Sequence, residues 1–290
     1  MDGTAAALAY KELLQKEGNE ALAVLPGCLN HSVTESIKSL GLDYLEKLPK
    51  TGDFEFVVLD ISEPNDIADF VTPERVVEIY DHHPGFEDFW KKRLGEKAKI
   101  EKVGAVATQI WEEYKKRGFS KEISVKSSQL LLTAIVSNTL NFNASITSDR
   151  DKIAFKELSS FINLPPNWIQ EYFKEQEKFV FENVEKALRN DTKVQYVKSL
   201  GQEIVISQLE LWNGKEFIEK HLLQVEEVLT SFNKPKRFFT LPSISEGINY
   251  IYCKDDFLKK LLKEKIGIHF SGDLGRTQKL WLRKEIIAVL

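Results

Sequence analysis

The chain has 290 residues, enough for two ordinary domains that each bury a core, and its 42% hydrophobic and 29% charged content is that of a folded globular protein rather than a disordered one. Its net charge is −4 with no Lys/Arg block, which argues against general nucleic-acid binding, and no apolar run approaches the ~20 residues that cross a bilayer. The opening Met1-Asp2-Gly3 lacks the basic-then-apolar layout of a secretory signal, and Cys28 and Cys253 stand far apart without a metal-binding or disulfide pattern. These features predict a cytoplasmic protein with two reduced thiols and neither nucleic acid nor membrane as a partner.

The first half alternates helix-like and strand-like segments. Residues 4–16 are Ala/Leu-rich with apolar residues at helical spacing, and Gly18 is the stop. Residues 21–25 (ALAVL) predict a short buried strand, 54–59 (FEFVVL) and 75–80 (RVVEIY) two more, with a short helix over 65–70 between them. Such alternation marks a parallel sheet covered by helices. Helices are predicted at 106–117, 127–136, 148–162 and 167–188, and Asn190-Asp191-Thr192 marks the expected domain boundary. Beyond it, 193–197 and 203–208 read as paired strands around Leu200-Gly201. A helix at 214–229, strands at 237–241 and 249–253, a Lys-rich amphipathic helix at 256–265 and a basic tail complete the chain.

Ligands collect at the C-terminal ends of strands in open parallel sheets. Asp60 ends FEFVVLD, and Asp81 ends VVEIYD and runs directly into His82 and His83. Asp2 stands immediately before a helix, where a strand would deliver it. A lone strand-terminal Asp serves as readily as a helix cap. The Asp81-His82-His83-Pro84 run is more specific, because adjacent histidines at a strand end face opposite ways. One can then bind a metal while the other meets substrate, and carboxylates with imidazole suit Mn²⁺, Co²⁺ or Mg²⁺ beside phosphate oxygens.

These residues resemble the DHH phosphoesterase superfamily, and within it the manganese-dependent (family II) inorganic pyrophosphatases and related exopolyphosphatases. The likeness rests on Asp2 to Tyr10, on Leu59-Asp60, on Asp81-His82-His83, and on Gly104 to Thr108. It continues in Ser137 to Phe142 with Thr147 to Asp151, and in Arg283 to Ile287 near the C-terminus. The resemblance implies an α/β protein: an N-terminal parallel-sheet DHH domain with helices on both faces over 1–189, a smaller C-terminal α/β substrate-clamping domain over 193–290, and the active site between them. It implies hydrolysis of pyrophosphate or short polyphosphate by a metal-activated water, with two ions. Asp60 would bridge them, Asp2, His82 and Asn138 would ligate, and Asp81 would support the histidines from behind. His83, Arg283, Lys284 and, less directly, Lys193 would hold the phosphoryl groups. Members often pair through the first domain's sheet, which would make a homodimer.

Two departures shape the alternatives. The resemblance calls for a His and a further Asp on a strand ahead of Asp2, where this sequence has only Met1, its single methionine. That strand would lie inside the sheet, so the expectation is a start at an internal methionine, with a degenerate protein as the alternative. Asn138 stands where the pyrophosphatases carry an Asp, and it brings an amide oxygen without charge. The alternatives are therefore a protein that binds phosphate compounds without efficient turnover, or a phosphatase of nucleotides or small phosphoesters. The cluster Gly275 to Lys279 competes with Arg283-Lys284 as the phosphate clamp.

Overall fold

A computed structural model describes all 290 residues, and the chain divides into two compact units. Unit 1 comprises 1–142 and 146–166, and unit 2 comprises 143–145 and 167–290. No helix is long and apolar enough to cross a membrane.

In unit 1, helix α1 (Asp2–Lys16) and the single turn α2 (Glu35–Lys38) precede β1 (Phe56–Leu59) and β2 (Val76–Asp81). Helix α3 (Glu87–Leu94), β3 (Ala98–Ile100), α4 (Val106–Lys116), α5 (Val125–Asn138) and α6 (Asp149–Leu158) follow. The sheet is parallel throughout, ordered β1-β2-β3, with Leu59 opposite Tyr80 and Asp81 opposite Ile100. This register brings the C-terminal ends of β1 and β2 side by side. Trp90 of α3 packs fully buried against Val58, Val76 and Ile79, and its indole N–H donates to the Ser62 carbonyl at 2.7 Å. The small buried face of α1, Ala5, Ala6 and Ala9, lets α4 and α5 approach it closely, and the Tyr114 hydroxyl donates to the Ala9 carbonyl at 2.8 Å.

Two predictions for unit 1 need correction. Residues 21–25 form no strand: Val24 makes one isolated parallel bridge with Leu45. That segment faces the outer edge of β1 across a groove of about 1490 Å³, lined by Val24, Leu25, Phe56 and Val58 among others. Residues 65–70 form isolated turns, closed by Asp66 N–H to Glu63 and Val71 N–H to Ala68, instead of a helix. Asn65, Asp66 and Asp69 are poor helix formers, and so short a segment gains too few helical bonds to offset that preference.

Unit 2 opens with α7 (Trp168–Glu182) and α8 (Val184–Asn190). Strands β4 (Thr192–Val197) and β5 (Gln202–Gln208) precede α9 (Gly214–Ser231), β6 (Arg237–Ser243), β7 (Ile248–Tyr252) and α10 (Asp256–Ile266). Strands β8 (His269–Ser271) and β9 (Leu274–Thr277) and helix α11 (Arg283–Val289) end the chain. The mixed sheet runs β4-β5-β6-β7-β9-β8, parallel only between β5 and β6. Alternation along β5 sends Val205 to a core shared with α7, α8 and α9, and Ile204 and Ile206 to one shared with α10 and α11.

Helices α7 and α8 were expected in the first domain. Val180, Val184, Ala187 and Leu188 instead bury their apolar faces against the second sheet, so the compact units divide at Pro166–Asn167 rather than at Asn190. The predicted basic tail is structured: Gly267 at φ 68° ends α10, and Gly272 at φ 64° turns β8 into β9.

Gly104 has the tightest surroundings near the sheet's C-terminal edge. A Cβ there would come within 2.6 Å of Thr139 Cγ2 and 2.7 Å of Asp151 Oδ2. Gly104→Ala is expected to destabilise unit 1 by about 1–3 kcal/mol, through displacement of neighbours that cannot yield. Urea unfolding followed by tryptophan fluorescence measures this, and an unchanged midpoint would refute it.

Candidate metal centre

The parallel register fixes the site. Asp60, the first residue beyond β1, donates its N–H to the Tyr80 carbonyl at 2.9 Å, and Asp81 closes β2, so their side chains share one edge. Asp60 adopts φ 65°, a left-handed backbone that costs an ordinary residue about 1–3 kcal/mol. The reversal turns its carboxylate toward α1, where Oδ2 accepts the Gly3 N–H at 2.9 Å. A Cβ on Gly3 would lie 3.2 Å from that oxygen, so glycine is what allows the approach.

His82 is almost completely buried, and its Nδ1 lies 3.1 Å from the Val103 carbonyl. A carbonyl only accepts, so Nδ1 carries a proton and Nε2 is the ring nitrogen left to face the site. Nε2 is 3.4 Å from Asp60 Oδ1. That juxtaposition becomes favourable when positive charge lies between the two atoms. His83 stands edge-on to His82 with ring centroids 4.7 Å apart, and its side chain is 44% exposed. Its Nδ1 donates to Asp81 Oδ1 at 2.7 Å, leaving Nε2 directed away from that carboxylate. Burial alone would raise the Asp81 pKa. The bonds from the His83 ring and the His82 N–H outweigh it and hold the carboxyl below its usual range. Asp60, His82 and His83 each bring a ligand atom, all within 4.8 Å of one another. Ligands on one ion at ~2.0–2.2 Å lie no more than roughly 4.4 Å apart, so shifts of a few tenths of an ångström close a coordination shell.

Asp2 completes the acidic side. Its carboxylate is buried and accepts the N–H groups of Val106 at 2.7 Å and Ala107 at 2.8 Å, at the start of α4. It caps α4 and also neighbours Asp60. Burial first, and the Asp60 charge second, push its pKa up to about 8 despite those two bonds. The Asn138 amide, at the end of α5, donates to Asp2 Oδ2 at 2.6 Å. Immediately after it, Leu140, Asn141 and Phe142 run at φ 49°, 53° and 65°, a strained left-handed turn that fixes the end of α5. Asp2, Asp60, Asp81, His82, His83 and Asn138 are thus in one neighbourhood of unit 1. The donor set fits a divalent cation: carboxylate and imidazole converge, and the repulsion between Asp2 and Asp60 is what such an ion would relieve.

Several groups that shape the site were not singled out from sequence. Gly3 and Val103 act through backbone atoms, and the Gln109 amide donates to the Asp81 carbonyl at 2.9 Å. Asp151, fully buried, accepts from the Gly104 N–H at 2.9 Å, the Thr108 hydroxyl at 2.6 Å and the Ser148 N–H at 2.7 Å. It thereby ties the segment Gly104 to Thr108 to the segment Thr147 to Asp151, both of which carry the resemblance noted in the sequence. A carboxylate three residues after Ser148, in capping-box spacing, was the available signal.

The predicted phosphate-binding residues belong to unit 2. Lys193 is exposed on the edge strand β4, opposite Ile206. Arg283 and Lys284 open α11, and the Arg283 side chain is 14% exposed, bonded through Nη1 to the Asp191 carbonyl. In the competing cluster, Arg276 lies over the Tyr250 ring at 5.4 Å and Lys279 over the Trp281 ring at 3.9 Å, each engaged with an aromatic of its own unit.

No family model matches the chain. It is 27% identical over 252 residues to a manganese-dependent inorganic pyrophosphatase of Staphylococcus haemolyticus, spanning 83% of this chain and 77% of that one. It is 26% identical to a pyrophosphatase of the same name from Staphylococcus saprophyticus, over 95% of this chain and 88% of the relative. The match to the corresponding Exiguobacterium protein is 34% identical but spans only 50% of that protein. Among solved structures, a Methanococcus jannaschii family II inorganic pyrophosphatase superimposes with TM-score 0.67 at 20% identity, over 98% of this chain and 95% of that one. An exopolyphosphatase-related protein of Bacteroides fragilis gives TM-score 0.51 at 13% identity, over 99% and 86%. At these identities the structural likeness is one of fold.

A bound cation should stabilise the folded chain by mass action, by about 2.7 kcal/mol at a hundredfold excess over its dissociation constant. Thermal unfolding in Mn²⁺ against EDTA should therefore show a higher melting temperature with metal. Gly3→Ala and His82→Ala should shrink the difference, and an unchanged shift in His82→Ala would remove that histidine from the centre.

Proposed function

We propose that the chain belongs with the family II inorganic pyrophosphatases and exopolyphosphatase-related proteins of the DHH phosphoesterase superfamily, and that it hydrolyses the P–O–P bond of inorganic pyrophosphate or short polyphosphate with a divalent cation, Mn²⁺ first among them. The observation that carries this reading is the convergence of the His82 Nε2 and the Asp60 carboxylate, 3.4 Å apart, beside a second buried carboxylate, Asp2.

In this reading Asp2, Asp60, His82 and Asn138 hold the cation. When bound, a cation of this kind lowers the pKa of a coordinated water and neutralises phosphoryl oxygens. The remaining work falls to the chain's own groups. The Asp81 carboxylate keeps the His83 Nδ1 proton occupied, so His83 offers Nε2 to a phosphoryl oxygen or its proton. Arg283 and Lys284, with Lys193 as helper, bind the outer phosphoryl group and stabilise the charge that develops on the departing phosphate. The burial of His82, Asp81 and Asp2 removes competing water from behind the reacting groups.

A second reading, binding of phosphate compounds with little turnover, is favoured by Asn138. Its amide donates to Asp2 where a carboxylate would add negative charge toward the cation. Each lost anionic ligand weakens a divalent ion's hold.

Phosphate release measured with malachite green, over pyrophosphate, tripolyphosphate and long-chain polyphosphate in Mn²⁺, Co²⁺ and Mg²⁺, tests the leading reading. Release from at least one of the short substrates is expected, and release from none would end it. Asn138→Asp is expected to tighten Mn²⁺ binding by roughly 10-fold or more, by analogy with the cost of disturbing a metal site's supports. Titration calorimetry reads this directly, and an unchanged affinity would remove Asn138 from the cation's surroundings.

A further inference from the structure

Arg283 is held at both ends. Its Nη1 donates to the Asp191 carbonyl, and its Nη2 lies 3.5 Å from Asp191 Oδ1. Its backbone N–H, a first-turn donor of α11 without a partner inside the helix, donates to Gln208 Oε1. The Gln208 side chain in turn donates to Glu210 Oε1 at 2.7 Å, and the Gln208 N–H reaches the same Asp191 carbonyl at 3.3 Å. Asp191, Gln208 and Arg283 therefore close a loop of bonds between the entry to β4, the end of β5 and the start of α11. None of these partners falls in a stretch that the sequence marks as functional.

We propose that Asp191 and Gln208 are positioning residues that aim the Arg283 guanidinium at a phosphoryl group, with Glu210 steadying Gln208. The proposal rests on the reading of Arg283 as a phosphate-binding residue. A guanidinium has five N–H donors in a rigid fork, and this cradle engages one edge, so donors remain for phosphate oxygens. Arginine loses substantial rotamer freedom when it grips a ligand, and a side chain already fixed at two points loses less. The charges are balanced as well: Asp191 and Glu210 face Arg283 and Lys284, so two neighbouring cations are kept together without an anion present. Burial, then the Asp191 charge, raises the Glu210 pKa to about 7, against the pull of Arg283 and Lys284.

The test is titration calorimetry of imidodiphosphate, a P–N–P analogue of pyrophosphate, into the full chain with Mn²⁺. Asp191→Asn is isosteric and keeps the carbonyl, and Gln208→Ala removes the acceptor from the Arg283 N–H. Each is expected to weaken binding by roughly 10-fold, a coupling of ordinary size for groups in one network, while Mn²⁺ affinity stays unchanged. In an Arg283→Ala background both should have no further effect, which a merely structural role would not produce. Unchanged affinity in both single variants, or an equal further loss without Arg283, overturns the cradle. If Arg283→Ala alone binds the analogue as tightly as the unmodified chain, the reading of Arg283 fails instead. If the unmodified chain does not bind the analogue at all, the proposed function falls and the cradle with it.

Discussion

A carboxylate taken out of water and set beside a second carboxylate needs positive charge, a proton, or hydrogen-bond donors to remain there. Asp2 and Asp60 are such a pair, and the surroundings of both can be read as answers to that need. Two α4 N–H groups and the Asn138 amide meet Asp2, and Gly3 meets Asp60. These donors do not suffice, since the Asp2 pKa still rises to about 8. The Val103 carbonyl holds the His82 Nδ1 proton and so turns Nε2 toward the Asp60 carboxylate. What is left is a buried cluster of two carboxylates and an imidazole nitrogen, where a cation can take the place of a proton.

The scaffold around this pair is built from close approaches and strained backbone. Gly3 and Gly104 admit side chains that a Cβ would displace. Asp60 and the run from Leu140 to Phe142 sit in left-handed conformations that non-glycine residues avoid. Asp151 then locks the segment around Gly104 to the start of α6, so that the cap on α4 and the carboxylates below it share one rigid frame.

Much of this was legible in the sequence. The strand ends at Asp60 and Asp81 follow from β-branched runs stopped by an acid, and the shared edge follows from parallel register. The adjacent histidines were expected to face opposite ways, and one is buried while the other is half-exposed. The helix over 65–70 failed because a short segment rich in Asn and Asp has low helix propensity and too few turns to overcome it. The strand over 21–25 failed because a lone apolar run needs hydrogen-bonding neighbours along its length, and Val24 finds only Leu45. The compact units divide at Pro166–Asn167 and not at Asn190, because turn residues announce a break in the chain but not which core the preceding helix joins. Val103, Gly3 and the Asp191 carbonyl act through main-chain atoms, which carry no residue-type signature. Asn138 was recognised by position, but that its amide meets Asp2 depends on the turn that ends α5.

The left-handed backbone at Asp60 sets stability and activity at odds in one residue. Glycine would take that conformation without strain, and the chain would gain on the order of 1 kcal/mol in doing so. It would also lose the carboxylate around which every other polar group of the site is arranged. Selection for thermal robustness alone would therefore drift toward a molecule without this carboxylate, so the strain at Asp60 is a cost the fold bears for the site.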